Sequence, residues 1–274
     1  MVTKKDYTAE AVEAARSVLI ELIHLLGEYR DHIVVVGGWV PDLLLGNKKT
    51  PHVGSMDVDL ALDHRNFRDD GYKTIRKLLL DRGYEEGEQP FVFERKIEGK
   101  ECTVEVDFLA GEYGGTGKGH RHQKIPEQNM RPRKARGCDL VFDNPEQMTI
   151  EGELPSGAKD AVNLRIASIV PFLIMKAMAL HDRIKEKDAW DIYYCIQNYP
   201  HGIDALVEEF EPHIEHGLVK EGLEKIRDNF ASKKHIGPKF VADFEELDDT
   251  EEREILERDA YEKVKYLLEK LGVR

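Results

Sequence analysis

The sequence predicts an α/β (α+β) domain over residues 1–165, followed by an all-helical domain over residues 166–274. Three observations predict this. The β-branched run "HIVVV" at 32–36 stops at Gly37-Gly38 and gives way to a short helical stretch. Two further runs, "MDVDLAL" at 56–62 and "CTVEVDFLA" at 102–110, alternate as strands do. From about residue 168 the apolar positions recur instead at helical spacing, and this change of period marks a boundary near 160–167.

The elements follow in order. Residues 8–28 read as an amphipathic helix, because Val12, Ala15, Leu19, Leu22, Ile23 and Leu26 fall on one face, with Thr8 as N-cap and Gly27 as stop. After strand 32–36 and the Gly-Gly turn, Trp39–Leu45 forms a short helix, and a loop with Gly46, Asn47 and Pro51 leads into strand 56–62. "YKTIRKLLLDRG" at 72–83 is a helix ended by Gly83, and "FVFERKI" at 91–97 is a strand. In strand 102–110, Val104, Val106 and Phe108 face one way, and Thr103, Glu105 and Asp107 the other. Residues 111–137 are Gly-rich and basic, without apolar period, and read as a loop. Short strands are expected near 138–142 and 147–151, then helices near 168–182, 188–198, 203–211, 214–230 and 251–271. The acidic stretch 243–257 reads as a solvated face.

Composition narrows the function classes. Apolar residues make up 41% of the 274, enough for a core, and the mean hydropathy of -0.51 describes a charged surface. A net charge of -13 argues against a general nucleic-acid coating protein. It leaves room for a local basic segment, and residues 118–136 supply one: Lys118, Arg121, Lys124, Arg131, Arg133, Lys134 and Arg136 against Glu127 alone. Such a stretch suits phosphate or an RNA backbone, or is a solvated loop. Cys102, Cys138 and Cys195 are few and odd in number, which predicts no disulfide framework and a cytoplasmic, reducing setting. Their spacing matches no zinc motif. The first residues lack a signal peptide's apolar core, and the longest uncharged apolar run, "IASIVPFLIM" at 166–175, is too short to cross a bilayer, so no membrane association is expected.

The chemistry gathers on residues 34–62. In a strand of period two, Asp57 and Asp59 project to one side, and Met56, Val58 and Leu60 to the other. Two neighbouring carboxylates repel, and burying them unpaired is costly. A hard divalent cation such as Mg²⁺ fits between them and keeps open positions for phosphate. Asp107 lies on the polar face of its own strand. Pairing of that strand with 56–62 makes three carboxylates converge, which is what a two-metal phosphoryl-transfer site needs. Gly37 and Gly38 allow close backbone approach to phosphate, the next helix offers free N–H groups, and Pro41 suits its first turn.

Taken in order, "VGGW", "GSMDVDLAL" and "VEVDFL" resemble the signature of the nucleotidyltransferase superfamily related to DNA polymerase β. Within it the chain is most similar to the AbiEii/AbiGii-type toxin group. That likeness rests also on "MKAMALHDRIKEKDAWDIYYCI" at 175–196, whose Lys176, Arg183, Lys187, Asp188 and Asp191 match a Lys, Arg, Lys-Asp-x-x-Asp pattern. The resemblance covers roughly residues 30–198. It implies a nucleotidyltransferase-fold mixed sheet with flanking helices, then a helical domain. It implies transfer of a nucleoside monophosphate from an NTP to an acceptor hydroxyl, with two Mg²⁺ held by Asp57, Asp59 and Asp107. Nucleotide binding falls to Gly37, Gly38, Ser55, Lys176, Arg183, Lys187, Asp188 and Asp191. The acceptor implied is a tRNA end or another RNA, and the partner implied is an antitoxin. Two positions depart from the pattern. Trp39 stands where a serine is usual, which moves the hydroxyl contact to Ser55. Val53, with His52 beside it, stands where the toxin group often has a basic residue.

At about 100° per residue, Lys176, Arg183 and Lys187 share one helix face. Three cations there repel unless an anion faces them, and a triphosphate gripped by Arg is one such anion. The other reading is structural: Asp188 as N-cap, Asp191 at N3, and Arg183 and Lys187 paired with Asp182, Glu186 or Asp191. His120 and His122 have metal-ligand spacing but no evident third ligand. Trp190, Tyr193 and Tyr194 read as helix packing. Two further functions stay open. The acidic total suits a cationic small-molecule acceptor, as in aminoglycoside-modifying relatives, and Trp39 suits a non-catalytic member that binds nucleotide, RNA or protein.

Overall fold

The computed structural model describes residues 2–46, 49–67, 73–97, 99, 102–112, 121–248 and 251–273. Tyr113, Lys118 and His120 of the basic segment, and Asn47 of the loop before strand 56–62, lie outside these. The chain forms two compact units. One comprises Thr8–Val40 and Gly54–Ser168; the other comprises Met1–Tyr7, Pro41–Val53 and Ile169–Arg274. Two short segments from the first part of the chain are thus grouped with the later helices.

The first unit is built on a mixed sheet. Its strands are β1 (Ile33–Val36), β2 (Val58–Leu62), β3 (Glu85–Glu86), β4 (Val92–Lys96), β5 (Thr103–Ala110), β6 (Arg133–Lys134), β7 (Glu146–Glu153) and β8 (Lys159–Ile166). They run in the order β3-β4-β5-β2-β1-β8-β7, with β6 beside β5. β2 pairs antiparallel with β1 and parallel with β5, so it sits in the middle of the sheet. Its residues accordingly read as one apolar run, buried except at Asp59.

Helix α1 (Ala9–Leu25) starts where the Thr8 hydroxyl accepts from the Ala11 N–H at 3.2 Å. It lays Ala15, Val18, Leu19 and Leu22 into the core. Gly152 of β7 keeps the strand close to this helix: a Cβ there would meet Ile20 Cδ1 at 2.6 Å. One charged residue faces inward from α1. Glu21 is 2% exposed and accepts from Arg82 at 2.8 Å, Arg95 at 2.9 Å and Tyr84 at 3.0 Å. Burial alone would raise its pKa, but Arg95 and the other donors hold it below the usual carboxylate value. Helix α3 (Ile75–Asp81) is shorter than its apolar pattern suggests and begins at a Thr74 cap.

The second unit is helical: α4 (Ile169–Arg183), α5 (Glu186–Asn198), α6 (Ile203–Phe210), α7 (Gly217–Asn229), α8 (Ile236–Phe244) and α9 (Glu251–Lys270). α2 (Trp39–Leu45) starts in the first unit and ends in this one. α4 packs on α5 and α7, and α5 on α8 and α9. Trp190 stacks on Phe244 at 4.9 Å and donates to Glu245 at 2.7 Å, while the Tyr193 hydroxyl donates to Asp259 at 2.5 Å. These aromatics hold helices together. No described helix is long and apolar enough to cross a membrane.

Four local expectations are corrected. Cys138–Phe142 is a 3₁₀ turn entered through Gly137 at φ +86°, not a strand. A five-residue apolar run has no period that separates the two. β8 occupies the stretch that reads as a boundary. α8 carries Gly237 and Pro238 in its first turn, where Pro is tolerated but obscures the pattern. The acidic stretch 243–257 is partly internal: Arg253 donates to Asp243 at 2.7 Å and to Glu257, 2% exposed, at 2.8 Å.

Candidate active site

The sheet brings two of the three predicted carboxylates, Asp59 and Asp107, together through its register, while Asp57 lies just outside β2. β2 and β5 run side by side with Asp59 directly beside Asp107 and Val58 beside Val106. Adjacent strands lie about 4.8 Å apart, so two like charges face each other across one step of the sheet. On the other side of β2, Val36 is the partner of Asp59, and Gly37 follows it. Gly37 has φ +72°, and a Cβ on it would lie 1.9 Å from Asp59 Oδ2. The turn therefore needs glycine twice, for its backbone angle and for the Asp59 carboxylate pressed against it. Gly38 is buried behind it, and the Val40 N–H closes the turn on the Gly37 carbonyl at 3.2 Å.

Asp57 is exposed just before β2. Its carboxylate accepts from the Ser55 hydroxyl, and its main-chain carbonyl accepts from the Trp39 indole N–H at 2.9 Å. Trp39 is 1% exposed. The residue that replaces the usual serine thus pins the start of the Asp-x-Asp segment to the helix after the Gly-Gly turn. Asp107 accepts from Arg133 Nη2 at 3.2 Å. Among the described residues no three or more His, Cys, Asp or Glu side chains are gathered as a metal cage. Asp57 and Asp107 are instead each turned to an internal donor. The donor chemistry still fits a hard cation: oxygen ligands only, two of them on adjacent strands in register.

Gly37→Ala is expected to lower stability by about 2 kcal/mol or more, from the left-handed angle and the overlap with Asp59. Gly27→Ala, where the added Cβ meets nothing within 4 Å, serves as the control. Denaturant titration of both variants measures the difference.

In the helical unit, the second predicted set forms one network. Lys176, 8% exposed, reaches Asp188 at 2.9 Å and Asp191 at 2.6 Å. Arg183 grips Asp188 with two bonds of 2.7 and 2.8 Å, and Lys187 lies 3.1 Å from both Asp191 oxygens. The single helix face is corrected: α4 ends at Arg183, Ile184 turns at φ +50°, and α5 restarts at Glu186. Lys185 is the N-cap of α5, so Asp188 stands at N3 rather than at the cap, and Asp191 lies further along. The cations converge because two helices meet at this corner.

His52 completes the network. Its ring is fully buried, lies 5.0 Å from Trp190 and 4.9 Å from Tyr194, and sits with Nε2 2.9 Å from Asp191 Oδ1. Burial lowers its pKa to about 4, with Lys187 and Lys176 adding to the effect against the pull of Asp191. At neutral pH it is therefore uncharged, with the proton on Nε2 facing the carboxylate. Burial would raise the pKa values of Asp191 and Asp188, but Lys176 in both cases, with Lys187 or Arg183, carries them below the usual range. The same two carboxylates outweigh burial at Lys176 and raise its pKa. Three cations and two carboxylates thus meet in one network. Arg183, whose side chain is 41% exposed, is the member most open to solvent.

His52 gives this network an acid limit. An unfolded chain binds the His52 proton near pH 6.5, the folded chain only near pH 4. Between those values the unfolded state holds more protons, so stability falls as pH falls, by about 3 kcal/mol in all. His52→Gln, which can still donate to Asp191, is expected to flatten that limb; denaturant midpoints from pH 7 to 4 check it.

Three contributors escape the sequence: Arg133 on Asp107, His52 on Asp191, and the Trp39 indole on Asp57. Each acts across the fold on a residue distant in sequence, and β6 is too short to show a period. The other basic-segment residues Arg121, Lys124, Arg131, Lys134 and Arg136 are described, with Arg136 on Glu112 at 2.8 Å. His122 bridges to Arg133 along the backbone. A family described as "Nucleotidyl transferase AbiEii toxin, Type IV TA system" has a model that matches residues 24–267. No curated protein and no solved structure matches the chain.

Proposed function

The chain belongs to the AbiEii family of nucleotidyl transferase toxins, and on that premise we propose that it moves a nucleoside monophosphate from an NTP to an acceptor hydroxyl at the end of a tRNA or another RNA. The observation that carries the reading is Asp59 in register beside Asp107, with Gly37 packed against Asp59. Asp57, Asp59 and Asp107 hold two Mg²⁺ in this reading, and those ions supply charge neutralisation at the phosphates and activation of the acceptor hydroxyl. Asp107 is assigned the hydroxyl's proton. Ser55 and the Trp39 indole fix Asp57 in place. The main-chain N–H groups after Gly37 and Gly38 are assigned to phosphate. Lys176, Arg183 and Lys187, which match the family's cation pattern, are assigned to the β- and γ-phosphates, with Asp188 and Asp191 orienting those cations. The family's description as a type IV toxin supports an antitoxin partner, and the three free cysteines support a reducing cytoplasm.

The test is transfer of label from each α-³²P-NTP, with Mg²⁺, to total cellular RNA, beside Asp57→Ala. A labelled tRNA-sized band that the variant loses is the expected result. A net charge of -13 favours a second acceptor class, cationic small molecules. Label on an aminoglycoside panel and none on RNA would replace the first reading with that one. Calorimetric NTP binding without transfer to either would leave a binding protein.

A further inference from the structure

β6 pairs in parallel with β5, Leu109 beside Arg133 and Ala110 beside Lys134. That register delivers the Arg133 guanidinium to Asp107, two residues back along β5, where Nη2 donates to Oδ2 at 3.2 Å. The guanidinium also lies 5.7 Å from the ring centre of Phe91. Its Nε is buried and has no hydrogen-bond partner among the described residues. A charge-assisted bond to a carboxylate is usually about 2.7–2.9 Å and, for arginine, often doubled. Arg183 on Asp188 meets that description, with bonds of 2.7 and 2.8 Å. Arg133 on Asp107 does not: one longer bond, one inner N–H left over, and a side chain 35% exposed. The first arginine is locked in place. The second is a cation loosely held against a carboxylate that the reaction needs.

We propose that Arg133 is a displaceable counter-ion of Asp107, one that takes the charge position of a divalent cation and thereby sets how tightly Asp57, Asp59 and Asp107 bind that cation. The proposal rests on reading those three carboxylates as cation ligands. Arg133 and a divalent ion compete because each stabilises the same negative charge and repels the other. A unit charge within a few ångströms changes such an equilibrium by roughly one to three decades. With a partly exposed arginine the lower end applies.

The experiment is Mn²⁺ binding to the full chain without nucleotide, read from the electron paramagnetic resonance signal of the free ion. Wild type is compared with Arg133→Gln, Arg133→Met, Arg131→Gln and Asp59→Ala. Arg133→Met keeps a long apolar stem near Phe91, should glutamine alone disturb folding. Arg131 is exposed two positions away and controls for loss of one positive charge from the same stretch. The Arg133 variants are expected to bind Mn²⁺ about tenfold more tightly, Arg131→Gln to match wild type, and Asp59→Ala to lose the site. Mn²⁺ should also raise the melting temperature of the Arg133 variants more than that of wild type, since it restores the missing counter-charge. Unchanged or weaker Mn²⁺ affinity in both Arg133 variants, with Asp59→Ala still inactive in binding, overturns the counter-ion role and leaves the metal reading intact. Equal binding by wild type and Asp59→Ala, or none by any chain, overturns both.

Discussion

Asp59→Asn is expected to reduce nucleotidyl transfer on the order of a thousandfold, because it removes charge from the point where the transition state needs it held. The change is nearly isosteric. Asparagine keeps the volume that Gly37 packs against and relieves repulsion with Asp107, its neighbour on β5. The melting temperature should therefore stay within a few degrees of wild type. That pairing of outcomes distinguishes a catalytic carboxylate from a structural one. A variant that transfers label at the wild-type rate refutes the assignment, and a variant that loses activity only by unfolding leaves Asp59 a structural residue. On the proposed assignment the loss should appear in kcat rather than in KM, since Asp59 would hold the cation that neutralises the reacting phosphate.

Asp191→Ala is expected to cost about 3–5 kcal/mol of stability, because breaking a buried charge network strands its partners. Asp191 is fully buried and accepts from Lys176, Lys187 and His52. Its loss leaves Lys176 in the interior with Asp188 as its one carboxylate partner among the described residues. Thermal melts should show a fall of roughly 6–20 °C. The pH dependence has a defined sign. A carboxylate whose folded pKa is depressed contributes stability above its unfolded value near 4 and loses that contribution as pH falls through the folded value. The wild type should therefore lose more stability than the variant on acidification below pH 4. An Asp191→Ala chain with an unchanged melting temperature would show that the cluster adds nothing to folding.

Most of the first unit could be read from local pattern. The alternation of Val104, Val106 and Phe108, the Thr8 cap and the Trp39–Leu45 helix all follow from the order of residues within a few positions. β8 could have been read the same way, since Val162, Leu164 and Ile166 alternate inward. It was obscured by its place at the change from strand to helix period. The five-residue run 138–142 and the Pro-bearing start of α8 carry too little period for any local reading.

The kinds of group in each candidate cluster were also on view in the sequence: carboxylates at 57, 59 and 107 with glycines at 37 and 38 in the first unit, and cations from 176 to 187 in the second. What stands next to what was not. Whether Asp107 would meet Asp59 depends on which strand pairs with β2 and in what register, and a slip of one residue would have turned it to the other face. The cations looked like one helix face, and the corner at Ile184 instead folds their own carboxylates back onto them. Spacing along a chain reports only neighbours within a turn or a pleat, whereas burial decides which distant groups must neutralise one another. His52 on Asp191 and Arg133 on Asp107 are contacts of that second kind, made when separate segments close around carboxylates drawn out of water, and the buried Trp39 indole N–H finds its acceptor on the Asp57 main chain in the same way.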